Sequence, residues 1–155
     1  VVSRRFIAAC AVLAAIASAL AAAHGYGEGD IQVRHPWTRA TPPGAKVAAG
    51  YLEIRNLGKT PDRVTGASTP AAERVEFHMT TREGDVMKMR EVQGFDVPTR
   101  QRLTLRPGGL HLMIIGLKQP LTMGGRLPLT LRFERAGEIR IELEVQAADS
   151  RKPHH

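Results

Sequence analysis

Apolar and polar residues alternate along most of the chain from Asp30 to Gln146. Leu127, Leu129, Leu131 and Phe133 stand at every second position, and so do Ile139, Ile141, Leu143 and Val145. A period of two places such side chains on one face of an extended segment, so each run reads as a strand with one buried face. Ala136-Gly137 lies between the two runs and predicts a hairpin. Similar short runs, separated by Gly, Pro, Asn or Asp, predict strands at 30–39, 47–56, 62–68, 72–81, 86–93, 102–106, 110–117, 127–134 and 138–146. No stretch after Ala23 carries a helical apolar stripe with a cap and a stop. About eight to nine strands at this spacing predict an all-β fold, an antiparallel Greek-key barrel or sandwich forming one domain over 30–146.

Residues 1–23 break this pattern. Arg4-Arg5 is followed by an almost unbroken apolar run from Phe6 to Leu20, then by Ala21-Ala22-Ala23. That order predicts an export signal cleaved after Ala23, which implies a periplasmic protein. The run is short for a spanning helix, so no membrane span remains after cleavage. Ile7-Ala8-Ala9-Cys10 has the look of a lipidation box, but most of the apolar run follows Cys10 instead of leading to it. The polar or Gly-rich ends, 24–29 and 147–155, are expected to be flexible.

Composition narrows the function. The chain has 22 Lys+Arg and 15 Asp+Glu, for a formal charge of +7, which falls to +5 when Arg4 and Arg5 leave with the signal. Acids and bases are interspersed, without a basic stripe interleaved with aromatics, so nucleic acid is not an expected partner. Cys10 is the single cysteine and leaves with the signal. This excludes a disulfide framework, a Cys-rich zinc site, a thiolate-held iron–sulfur cluster and a blue-copper centre. There is no nucleophile elbow, phosphate loop or dinucleotide fingerprint, and no carboxylate pair stands out as acid and base. The expectation is a protein that is not an enzyme.

Histidine and methionine carry the remaining signal. His78, Met79, Met87, Met89, His111 and Met113 lie close together in the chain. His111 and Met113 are two apart on a predicted strand and so share a face. A hairpin with a loop at Glu83-Gly84 would set His78 directly opposite Met89. Two imidazoles and two thioethers meeting at one point suit a soft, low-charge ion, and Cu(I) above the alternatives. Taken singly, Met89 and Met113 also read as core residues and His78 as a hydrogen-bonded surface residue. Met79 should face away from His78, Met87 could lie near the site or at the surface, Met123 sits in a turn, and Trp37 fits either the core or a lid.

The spacing His78-x10-Met89-x21-His111-x-Met113 resembles the signature of the periplasmic copper chaperone family PCu(A)C. Trp37-Thr38-Arg39, Ala49-Gly50-Tyr51 with Arg55-Asn56, and Pro107-Gly108-Gly109-Leu110-His111-Leu112-Met113 resemble its flanking motifs. The likeness spans about Asp30 to Val145, and none of the four ligand positions departs from the signature. The resemblance implies a cupredoxin-like barrel with a solvent-near Cu(I) site whose ligands are His78, Met89, His111 and Met113. It also implies delivery of copper to the binuclear centre in the copper-bearing subunit of cytochrome c oxidase, together with a Sco-type thiol protein.

Three other readings stay open beside it. Sequestration for copper resistance would use the same ligands. A histidine-brace copper enzyme would require the new N-terminus, His24, to approach a second histidine. His24 and the terminal His154-His155 could also form a separate Cu(II) site, or be incidental.

Overall fold

The computed structural model describes residues 25–153. The predicted export signal, Cys10, His24, His154 and His155 lie outside the described residues. Eleven strands run in chain order: β1 (Gly25–Glu28), β2 (Ile31–Arg39), β3 (Val47–Asn56), β4 (Asp62–Ser68), β5 (Ala72–Glu83), β6 (Val86–Val92), β7 (Phe95–Val97), β8 (Arg102–Leu105), β9 (Leu110–Leu117), β10 (Arg126–Phe133) and β11 (Gly137–Gln146). Among the described residues no helix is long and apolar enough to cross a membrane.

The strands form one sheet in the order β6-β5-β9-β3-β2-β11-β10-β4-β7, with β1 added to β2 and β8 to β3. The sheet rolls on itself. Phe77 of β5, near one end of this order, packs on Phe95 of β7, at the other end, with ring centroids 5.0 Å apart. Ile31, Val33, Leu52, Ile54, Leu112, Ile114 and Leu143 from the middle strands complete the interior. The alternation read in β10 and β11 is realised, since Leu127, Leu129, Leu131, Phe133, Ile139, Ile141, Leu143 and Val145 are all buried.

Three details differ from the sequence reading. The sheet is not wholly antiparallel, because β11 runs parallel to β2 through Glu144↔Trp37 to Gln146↔Arg39. Parallel neighbours need a long crossover, and here nearly the whole domain lies between the two strands. Two further strands raise the count to eleven. β7 alternates as Phe95, Asp96, Val97, but over three residues, too few to read as a strand. β1 lies in the 24–29 stretch expected to be flexible; Gly29 at φ +56° makes the turn, and Glu28↔Ile31 begins a backbone ladder that needs no apolar pattern. The third difference is the β5–β6 hairpin. Its loop is Gly84-Asp85, one residue later than expected, and Glu83 pairs with Val86. Gly84 has φ +63° at the first loop position, where a type II′ hairpin places glycine.

Leu131 lies in the packed interior with 1% of its surface exposed. Leu131→Ala should lower the unfolding free energy by about 2–5 kcal/mol, read as a shifted urea midpoint with an unchanged slope.

Candidate metal centre

β5 lies between β6 and β9, and the two registers bring the predicted residues together. His78 pairs with His111 across β5–β9, and Glu76 pairs with Met113. On the other side His78 pairs with Glu91 and Thr80 with Met89. Paired residues share a face of the sheet, so His78, His111, Met113 and Met89 all project from one side. The opposite side holds Phe77, Leu112 and Ile114 in the core, which fixes the register by burial. Because the hairpin loop is displaced, Met89 is diagonal to His78, not directly opposite. The two-residue change in register keeps both on the same face.

The two imidazole rings lie side by side, with centroids 5.8 Å apart and planes tilted by 44°. Each is tied down through one nitrogen. His78 Nε2–H donates to Glu76 Oε2 at 2.9 Å, while Arg74 Nε–H donates to Glu76 Oε1 at 2.8 Å. His111 Nδ1–H donates to the Gly109 carbonyl at 2.9 Å, and the same carbonyl accepts from the Thr80 amide at 3.2 Å. Their other nitrogens, His78 Nδ1 and His111 Nε2, are buried without a hydrogen-bond partner. A buried polar atom with no partner is costly, and one on each of two neighbouring imidazoles fits a bound cation.

The Arg74 guanidinium, then the His78 ring, hold the Glu76 carboxyl below the usual carboxylate range. Glu76 is therefore an anion at neutral pH and acts only as an acceptor. Among the described residues no three or more His, Cys, Asp and Glu side chains converge as a metal cluster. Two imidazoles are fewer than the usual protein set for zinc, whereas thioethers can complete the histidine pair for a soft ion.

Burial is uneven across the site. His111 is buried, at 3% exposed, Met113 is half-buried, and Met89 on the edge strand is 54% exposed. Met89 is thus not a core residue. Met87 is exposed on the same face, farther along β6 and opposite Arg82. Met79 follows His78 and faces the other way, and Met123 is exposed in its turn. Trp37 is buried and tilted against Tyr51 at 4.7 Å, with the Arg39 guanidinium 5.9 Å and 5.6 Å from their ring centres. Burial pushes the Tyr51 hydroxyl up, with Arg39 opposing. Arg39 Nε–H also donates to the Ser150 carbonyl at 2.7 Å, so the segment after β11 is anchored beside this aromatic pair.

Glu76 and Arg74 escaped the sequence reading, which treated scattered carboxylates as a solvated face. The available signal was Arg74-x-Glu76-x-His78, three polar residues at period two on one strand.

Several known proteins resemble this chain. Residues 31–145 match the model of the LpqE-like family, which is described in terms of lipoproteins. Lxx21020 of Leifsonia xyli subsp. xyli (strain CTCB07), also named as a lipoprotein, is 35% identical over 117 residues, spanning 75% of this chain and 69% of that protein. The copper-bound PCuAC domain from PmoF2 superposes with a TM-score of 0.71 at 31% identity, over 80% of this chain and 98% of that domain. The Cu(I) form of DR1885 from Deinococcus radiodurans gives 0.62 at 28% identity, over 84% and 85% of the two chains. With these likenesses the rolled all-β sheet is of the cupredoxin-like class.

The Arg74→Ala variant tests the ion pair. The Glu76 carboxyl should titrate closer to the ordinary carboxylate range, followed by its side-chain carbon shift in NMR. Because the folded-state value is lowered, the stability this pairing contributes is present at neutral pH. It is lost as pH falls through the folded value.

Proposed function

The chain belongs to the LpqE-like, PCuAC family, and from that premise we propose that it is an exported copper metallochaperone. It carries one Cu(I) on His78, Met89, His111 and Met113 and delivers it to the binuclear copper centre of cytochrome c oxidase, with a Sco-type thiol protein as co-partner. The supporting observation is the pair of buried, unpartnered ring nitrogens on directly paired strands, with Met113 and Met89 on the same face. Each imidazole has one nitrogen engaged by an acceptor and the other buried without a partner, so the neutral ring would offer its lone pair to a metal. Two neutral nitrogens and two neutral sulfurs suit the low charge and softness of Cu(I). Copper is cargo in this reading, and the exposed Met89 gives an incoming thiolate a side from which to displace it. The relatives' description as lipoproteins supports export. The position of the apolar run in the sequence favours cleavage after Ala23 over lipidation at Cys10.

Titration of protein 24–155 with Cu(I) against a chromogenic chelator should give one tight equivalent. The Met89→Ala/Met113→Ala double variant should weaken it by at least about tenfold, while removal of His24 and residues 153–155 should leave it unchanged. Binding that follows the termini would overturn the ligand set. Delivery is tested in cells lacking the gene and grown at limiting copper. Oxidase activity should fall and be restored by the intact gene but not by the double variant. Copper sensitivity with unchanged oxidase would mark sequestration instead. The intact mass of the exported protein should correspond to a chain that begins at His24 and carries no lipid.

A further inference from the structure

The two histidines are held through different nitrogens. His78 offers Nδ1 because Nε2 is bound to the Glu76 carboxylate, and His111 offers Nε2 because Nδ1 is bound to the Gly109 carbonyl. Both acceptors can only accept, so each bonded nitrogen must carry the proton. The tautomers are thus opposite, and each is set by the partner of the outward nitrogen.

We propose that Glu76 is the positioning residue of the copper site, fixing His78 in the tautomer and ring orientation that make Nδ1, and not Nε2, the copper donor. This inference rests on the copper-carrier reading and specifies how that site is assembled. The carboxylate is itself fixed. Arg74 holds Oε1, His78 holds Oε2, and all three residues alternate along one face of β5. With both oxygens engaged, and with the hard-donor character of a carboxylate, Glu76 is suited to the support of a ligand and not to Cu(I) itself. An anionic partner strengthens the opposite ring nitrogen as a donor, whereas the neutral Gly109 carbonyl does so less. His78 is accordingly the stronger nitrogen donor of the pair, and it stands on the strand next to the exposed Met89.

The test begins without metal. In 15N-histidine-labelled apo protein at neutral pH, long-range proton–nitrogen correlations should show His78 protonated at Nε2 and His111 at Nδ1. In Glu76→Ala, His78 should become a mixture of tautomers while His111 stays as it was. Glu76→Gln, whose amide oxygen still accepts, should keep most of the Nε2–H form. Cu(I) added to the intact protein should shift His78 Nδ1 and His111 Nε2, and Glu76→Ala should lose about 10–100-fold in Cu(I) affinity, with Glu76→Gln in between. An unchanged His78 tautomer in Glu76→Ala, or a Cu(I)-induced shift at His78 Nε2, overturns the proposal. If the intact protein binds no Cu(I), the copper-carrier reading fails, and with it the donor assignment. The apo tautomers would then still report whether Glu76 sets the ring.

Discussion

The register between β5 and β9 is the constraint on which the rest of the site depends. It places His78 against His111 and Glu76 against Met113 in a single step. The register is held from behind, where Phe77, Leu112 and Ile114 fill the core. A slip of either strand by one residue would push its own imidazole into that core and turn its own apolar side chains toward water. Burial on the core side therefore also aligns the residues on the polar side of the sheet.

On that aligned face, hydrogen bonds complete the arrangement. One backbone carbonyl, at Gly109, joins the loop before β9 to Thr80 of β5 and to the His111 ring. One carboxylate, Glu76, joins Arg74 to His78. Each imidazole is thus fixed at its outer nitrogen while its inner nitrogen is left buried and unsatisfied. The resulting site is buried at His111 and open at Met89, which stands on an edge strand with a partner on one side. That gradient fits a carrier, in which a metal is held firmly on one side and reached from the other.

Much of this was legible in the sequence because period-two patterning is a local signal. β3, β4 and β9 have the boundaries that alternation and turn residues predict, and the apolar faces of β10 and β11 are buried as read. The four candidate ligands were found by residue type and spacing, and they do share a face. The hairpin was misplaced because Glu83-Gly84, itself a poor two-residue turn, was read as the loop; the loop forms at Gly84-Asp85, with glycine at φ +63° in the first position and Glu83 paired with Val86. β1 was missed because it is held by a backbone ladder without an apolar face, and β7 because the alternation of Phe95, Asp96 and Val97 is too brief to read as a strand.

The sequence by itself determined the all-β class, the faces of the long strands and the choice of His78, Met89, His111 and Met113 as candidate ligands. These follow from alternation and residue type, which are properties of a chain and its neighbours one or two positions away. Only the tertiary structure decided that β11 meets β2 in parallel, that Met89 lies diagonal to His78 and open to solvent, and which nitrogen of each histidine is free. Those features depend on pairing between distant strands and on single hydrogen bonds to Glu76 and Gly109. Such bonds form only after the core has fixed where each strand lies.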